Sequence, residues 1–151
     1  MKQLPKEYIG DELSHATMRT EDLIPRFMEF LHKHKNDCGI IKEVDLIQDG
    51  VDALKIETYP DYSENYHKNP VAASYILNED IWELLNDIAP EFSYFGSSEG
   101  DGSAYGFWTD EERLHDKVIE RLEATIEVSD DLEEVRSRLE EIMELMSTYD
   151  R

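Results

Sequence analysis

The sequence lacks the features that mark disulfide-linked, secreted or membrane-spanning chains. Its 151 residues include one cysteine, Cys38, which excludes an intrachain disulfide and a cysteine-based zinc site. No stretch approaches the roughly 20 apolar residues that a membrane span requires. Residues 1–7 contain no apolar signal-peptide core. These absences predict a protein that is made and kept in the cytoplasm.

Basic residues are scarce relative to acidic ones. The chain has 15 Lys and Arg against 36 Asp and Glu, for a formal net charge of −21. Such a charge repels nucleic acid and anionic membranes, so neither is expected as a direct partner. Two interpretations remain open: general solubility, including adaptation to high salt, or binding to a basic protein surface.

The acidic residues are unevenly distributed along the chain. Residues 1–42 hold 7 acids and 7 bases, residues 43–101 hold 14 acids and 2 bases, and residues 109–151 hold 15 acids and 6 bases. A solubility device is expected to be spread evenly. The distribution therefore favours an acidic face that is directed at a partner.

The first half of the chain is predicted to contain one helix and one hairpin. Over residues 20–35, Thr20 is a suitable cap and the apolar residues recur at helical spacing. Residues 40–47 and 51–59 are rich in β-branched side chains and flank Asp49-Gly50, which predicts two strands joined by a tight turn. Residues 59–70 contain two prolines and are predicted to be a loop.

The second half predicts a helix, a hairpin and two further helices. Helical spacing covers residues 79–89, whereas residues 71–77 fit either a strand or a helix. Strands are predicted at 92–95 and 104–108, around a glycine-rich loop, and helices at 109–127 and 132–149. The sum is an α+β fold, with a small antiparallel sheet packed against helices and a C-terminal helical pair. Residues 1–108 are expected to form the core domain, and residues 109–151 an acidic helical extension that packs on the core or makes a dimer contact.

The last predicted helix carries an apolar stripe with the spacing of a short coiled-coil seam. The favoured interpretation is that this stripe packs on its own domain or on helix 109–127. The alternative is a homodimer through Leu132, Val135, Leu139, Ile142 and Met146.

Motifs for catalysis, metal binding or cofactor binding are absent from the sequence. The five histidines, His15, His32, His34, His67 and His115, form no HxxxH or HExxH pattern. Each is expected to face solvent or to have its hydrogen bonds satisfied. Residues 99–103 lack the ligands of an EF-hand and the lysine of a P-loop. We therefore expect no enzymatic activity, no cofactor and no metal, and we expect Cys38 to be inert.

Two stretches, LSHATMRTEDLIP at 13–25 and YFGSSEGDGSAYGFW at 94–108, resemble small acidic proteins, mostly uncharacterised, that bacteriophages and mobile elements carry. The resemblance covers residues 13–108 loosely, and the second stretch is the more specific. It implies no catalytic residues. It implies a role in phage–host conflict inside the host cytoplasm, as an inhibitor of host nucleases of the anti-restriction or anti-CRISPR type.

Two binding hypotheses follow. In the first, carboxylates on the helices at 79–89, 109–127 and 132–149 imitate nucleic acid and occupy a Lys/Arg-lined channel of a host nuclease or CRISPR effector. In the second, an immunity- or adaptor-type protein binds through aromatic anchors in loop 59–66 and hairpin 92–108, while the acids speed association. The predicted contact residues are Asp61, Tyr62, Glu64, Glu79, Asp80, Glu83, Asp87, Glu99, Asp101, Trp108, Asp110, Glu111, Glu120, Glu123 and Glu127.

Overall fold

A computed structural model describes residues 1–56, 69–127 and 131–149 and confirms the α+β fold. In chain order it contains a 3₁₀ turn (Lys6–Tyr8), β1 (Glu12–Ser14), α1 (Thr20–Cys38), α2 (Ile41–Ile56), α3 (Pro70–Tyr75), a π-helical turn (Ile76–Ile81), α4 (Trp82–Asp87), β2 (Ser93–Ser97), β3 (Tyr105–Thr109), α5 (Glu111–Glu127) and α6 (Leu132–Tyr149). None of these described helices is both long and apolar enough to cross a membrane.

The first predicted helix is confirmed and runs three residues further, to Cys38, but Thr20 is its first residue and not its cap. It ends because Gly39 adopts a left-handed φ of 70° and its N–H donates a hydrogen bond to the Lys35 carbonyl. Pro25 lies inside α1, in its second turn, where it lacks the N–H that an interior helical residue donates. One face of α1, including the fully buried Phe27 and Leu31, forms the centre of the core.

The predicted hairpin over 40–59 is wrong, because residues 41–56 form the helix α2. The buried side chains of α2, together with Ile40 just before it, recur at intervals of four and three residues, which is one face of a helix: Ile40, Val44, Ile47, Val51 and Leu54. Packing of this face against the core outweighs the β propensity of isoleucine and valine. Residues 57–59 of the second predicted strand, and residues 59–68 of the predicted loop, lie outside the described residues.

Residues 70–87 form one helical segment that a π-helical turn interrupts. The predicted helix over 79–89 is correct for most of its length, and the ambiguous stretch 71–77 is also helical. Pro70 occupies the first helical position, where its missing N–H leaves no helical hydrogen bond unmade. The segment ends at Asp87, shortly before Pro90.

The sheet has three antiparallel strands in the order β1-β3-β2. The predicted hairpin is confirmed as β2 and β3, which pair from Ser93 with Thr109 to Ser97 with Tyr105. The third strand, β1, lies in the segment 1–19, for which the sequence predicts no regular structure. It pairs with β3 through Glu12 and Gly106.

The predicted C-terminal helices are confirmed as α5 and α6, which pack against each other. The break predicted around 128–131 falls mostly on residues outside the described ranges. Leu145 and Tyr149 of α6 are buried in a second apolar cluster with Ile9 and Phe92, so the last turns of α6 contact the core.

The predicted apolar stripe of α6 is divided between core and solvent. Ile142 is buried within its own chain, whereas Leu132, Leu139 and Met146 are 80%, 40% and 52% exposed. Intrachain packing thus accounts for part of the stripe. The homodimer stays a prediction, and it can engage only the exposed members.

Candidate functional site

A groove of about 830 Å³ lies where the hairpin, the start of α5 and the segment before β1 meet. We call it the acidic groove, because five of the side chains around it are carboxylates. Its lining consists of Ile9, Gly10, Asp11, Tyr94, Ser98, Glu99, Trp108, Thr109, Asp110, Glu111 and Glu112. None of these described residues is Lys, Arg or His.

Two aromatic side chains line the acidic groove from the hairpin. Tyr94 and Trp108 are directly paired across β2 and β3, so their side chains project from the same face of the sheet. Both are half-buried. The Trp108 indole N–H donates a 2.8 Å hydrogen bond to the Gly96 carbonyl, which holds the ring in place. The groove therefore presents oriented aromatic surface beside its carboxylates.

Asp110 joins the hairpin to α5 and carries the first of three consecutive acids. Its backbone N–H donates to the Phe92 carbonyl at 2.7 Å. Its side-chain Oδ1 accepts a hydrogen bond from the Arg113 N–H at 3.1 Å, which caps the helix. The cap fixes the start of α5, so Glu111 and Glu112 occupy the first turn, where negative charge is favourable.

The negative charge of the acidic groove disfavours ionisation of Tyr94. Partial burial raises the pKa of the Tyr94 hydroxyl, and the neighbouring charges of Glu99, Asp110 and Glu111 raise it further. The same field that disfavours a phenolate favours a cation placed beside the ring. The raised pKa of Tyr94 therefore reflects the negative electrostatic potential of the groove.

The arrangement is suited to holding a cationic side chain. An Arg or Lys head group can lie over the faces of Trp108 or Tyr94. It can also form charge-assisted hydrogen bonds with the carboxylates around it. Among the described residues, no group of three or more His, Cys, Asp or Glu side chains could hold a metal ion.

The structure brings together some of the predicted contact residues. Glu99, Trp108, Asp110 and Glu111 line the acidic groove. Three others, Asp80, Glu83 and Asp87, line a second groove between α2 and the helical segment 70–87. Asp61, Tyr62 and Glu64 lie outside the described residues.

The remaining predicted residues are exposed and lie apart from both grooves: Glu79, Asp101, Glu120, Glu123 and Glu127. Asp101 accepts hydrogen bonds from the Ser103 hydroxyl at 2.7 Å and from its backbone N–H at 2.9 Å. These bonds lower the pKa of Asp101. Glu120 forms an ion pair with Lys117. Asp101 and Glu120 therefore have local roles within the hairpin tip and α5.

Seven lining residues are absent from the predicted set, and three of them carry the polar and aromatic chemistry of the groove: Asp11, Tyr94 and Glu112. Tyr94 and Glu112 could have been predicted from the sequence, because Tyr94 lies opposite Trp108 in the predicted hairpin and Glu112 follows Glu111. Asp11 could not, because its position depends on the pairing of β1 with β3. The available signal was Gly106, since a glycine inside a strand often marks a close approach of another backbone.

The buried polar groups outside the grooves only partly match expectation. His32 shares a 2.8 Å hydrogen bond with Gln48, and His15 and His115 are exposed. His34 is buried, and its Nε2 has no hydrogen-bond partner among the described residues, so the expectation of a satisfied or solvent-facing ring is wrong there. His67 lies outside the described ranges. Cys38 is buried, which raises the pKa of its thiol.

Comparison with known proteins identifies no relative: the chain matches no protein-family model, no curated protein and no solved structure. The resemblance to small phage proteins stays a prediction. The function is therefore argued from the charge and geometry of the grooves.

Proposed function

We propose that this protein binds the basic surface of another protein through the acidic groove, and that it inhibits the partner by occupying its nucleic-acid-binding channel. One observation carries the proposal: Tyr94 and Trp108 lie beside five carboxylates, with no basic side chain in the lining. The net charge of −21 adds long-range attraction to any Lys/Arg-rich surface.

The aromatic pair determines how such a complex is held. Interface energy is concentrated in a few anchor residues, and tryptophan and tyrosine are enriched among them. An Arg or Lys of the partner that enters the acidic groove would be desolvated against Trp108 and neutralised by the carboxylates. Rim charges mainly set the association rate. We therefore favour anchored binding, with the wider acidic surface steering the encounter.

Imitation of duplex nucleic acid is the second candidate, and charge density is the observation that bears on it. Residues 110–127 carry seven acids and three bases, and residues 131–149 carry six acids and two bases. Each helix thus contributes a net −4 over about 25 Å. Duplex DNA carries about 15 charges over that length. The helical pair has roughly half of this density, which supports an acidic surface but a weak imitation of a duplex.

Affinity capture from bacterial lysate at low and high salt tests the proposal. The bait is the full chain, and each captured protein is assayed for nucleic-acid binding and for displacement by duplex DNA. Trp108→Ala and the double variant Glu99→Gln/Glu112→Gln are compared with Glu29→Gln, an exposed acid of α1 outside the acidic groove. All variants are first checked for folding by circular dichroism.

Anchored binding predicts that Trp108→Ala abolishes capture and that the Glu double variant mainly slows association. Glu29→Gln should capture the partner like the parent protein. Imitation of a duplex predicts instead that capture falls steeply with salt and that Trp108→Ala has little effect. Recovery of no nucleic-acid-binding protein at either salt concentration would contradict both candidates.

A further inference from the structure

The second groove differs from the acidic groove in having an apolar floor. It holds about 260 Å³ and lies between α2 and the helical segment 70–87. We call it the apolar groove. It is lined by Met1, Glu43, Leu46, Ile47, Gly50, Ile76, Asp80, Glu83, Leu84 and Asp87.

The two walls of the apolar groove follow the faces of helices. Residues 43–50 of α2 contribute about 10 Å of wall, and residues 76–87 contribute about 16 Å. The second wall includes the π-helical turn Ile76–Ile81, and such turns occur frequently at functional sites. Gly50 has no side chain to fill the space over Ile76. The groove is therefore long enough for two to three turns of a docked helix.

Leu46 is the unusual residue of this surface. Its side chain is 73% exposed, although Ile47, Ile76 and Leu84 beside it are buried. A leucine placed at the rim of an apolar floor offers surface that a partner can cover. At about 260 Å³ the groove is smaller than the usual pocket for a drug-sized ligand, and it suits the side chains of a polypeptide.

The charges around the apolar groove determine which kind of polypeptide it can bind. Glu43, Asp80, Glu83 and Asp87 surround the apolar floor, and none of the described lining residues is Lys, Arg or His. None of the four carboxylates forms an ion pair with a described residue. The chain's own segment 57–68 has three acids and one base, so its composition does not complement the charge of this rim.

We propose that the apolar groove binds a basic amphipathic helix of a partner protein. The apolar residues of that helix, at i, i+3 or i+4 and i+7, would cover Leu46 and the floor. Its Lys or Arg side chains would meet the four carboxylates of the rim. The inference is independent of the proposed function, because it concerns a different surface and a different anchor.

The probe for this surface is a fluorescently labelled 18-residue peptide of Leu and Lys that forms a helix with one apolar face. Fluorescence anisotropy measures its binding to the full chain. A peptide of the same composition, scrambled so that its leucines surround the helix, is the matched control. Burial of a leucine face lowers the dissociation constant by about tenfold or more. We therefore expect the scrambled peptide to bind at least about tenfold more weakly.

Variants of the chain locate the binding. Leu46→Gln should weaken the binding of the amphipathic peptide by about tenfold. The double variant Glu83→Gln/Asp87→Asn should weaken this binding by about two- to tenfold and should make it less dependent on salt. The controls are Val71→Gln, which alters an 83% exposed residue outside the groove, and Glu141→Gln, which removes an exposed carboxylate of α6. Both should bind like the parent protein.

Backbone NMR shifts complete the test. Perturbation of the amides of residues 43–50 by the peptide supports the proposal. Equal binding of the two peptides would show bulk charge attraction and would overturn it. Perturbation of the Trp108 indole N–H without the amides of α2 would place the peptide in the acidic groove and would also overturn it, while leaving the proposed function intact. Absence of binding by the amphipathic peptide would overturn it outright.

Discussion

The rings of Phe92 and Tyr149 meet edge to face, with their centroids 5.5 Å apart and their planes at 83°. The contact joins the residue before β2 to the last turn of α6. Phe92 has a left-handed φ of 58°, which is costly for a bulky residue and places its ring toward α6. The Thr109 hydroxyl also donates to the Tyr149 carbonyl at 3.3 Å. The C-terminal helix is thus held on the core by its final turn.

Removal of the Tyr149 hydroxyl should stabilise the protein. The oxygen is buried and has no hydrogen-bond partner among the described residues, and burial together with Glu91 raises the pKa of Tyr149 to about 12. A buried unsatisfied polar group costs about 1–3 kcal/mol. We expect Tyr149→Phe to raise the free energy of unfolding by about 1 kcal/mol in urea denaturation. Tyr75→Phe, at an exposed site, should have no effect, and a loss of stability in Tyr149→Phe would reveal a partner for the hydroxyl.

Gly106→Ala should disrupt the pairing of β1 with β3. A Cβ on Gly106 would lie 3.2 Å from the Glu12 Cα and inside the contact distance of the Asp11 carbonyl oxygen. Overpacking against backbone that cannot move aside costs about 1–3 kcal/mol or more. We therefore expect Gly106→Ala to lower the free energy of unfolding by about 3 kcal/mol, as measured by thermal denaturation. Gly102→Ala, where a Cβ meets open space, is the control and should change stability by less than about 1 kcal/mol. Equal stability of the two variants would argue against the β1 register.

Gly50→Ala distinguishes the observed helix from the hairpin that the sequence predicts. In α2, alanine is favoured over glycine by about 1 kcal/mol, and the new Cβ would make an ordinary 3.5 Å contact with Ile76 Cδ1. We therefore expect a gain of about 1 kcal/mol in the free energy of unfolding. In an Asp-Gly hairpin turn the glycine needs a positive φ, so alanine would destabilise the protein. The sign of the change in a urea titration decides between the two.

His34 should make stability depend on pH. Burial lowers its pKa below 6.5, the nearby charge of Lys33 lowers it further, and Asp37 acts in the opposite direction. The folded state disfavours the protonated His34 ring. The contribution of the neutral ring to the free energy of unfolding is therefore fully present above pH 6.5, and it is lost as the pH falls through the lowered pKa. Urea titrations between about pH 7 and 5 should show this loss in the parent protein and in His115→Gln. The loss should be smaller in His34→Phe, and an identical pH profile of all three would contradict the burial of His34.

The field of the acidic groove can be measured without a partner. Glu99 is one of three carboxylates that raise the pKa of Tyr94, so Glu99→Gln should lower that pKa toward 10 while burial keeps it above its ordinary value. An NMR titration of labelled tyrosine follows the single side chain. Glu29→Gln should leave the Tyr94 pKa unchanged. If Glu99→Gln has no effect either, the two side chains are not neighbours in solution.

Sequence periodicity was sufficient for α1, α5, α6 and the β2–β3 hairpin, because the apolar period of each is uninterrupted. It failed for α2, although the helical spacing of Val44, Ile47, Val51 and Leu54 was present. The β-branched residues and Asp49-Gly50 favoured strands locally, and only burial of one face against α1 decides for a helix. Local propensities are worth tenths of a kilocalorie per residue, whereas burial of an apolar side chain is worth more than 1 kcal/mol.

The sequence by itself determined the net charge, its concentration after residue 42, the α+β class and the aromatic hairpin. These properties depend on composition and on contacts between residues close in the chain. Tertiary structure alone decided that Asp11 joins Glu99 and Trp108 around one groove, and that Asp80, Glu83 and Asp87 border an apolar floor with Leu46. Both grooves form between segments distant in sequence, and their positions depend on packing that no local pattern encodes. The acidity is therefore a property of the sequence, whereas its division into two different surfaces is a property of the fold.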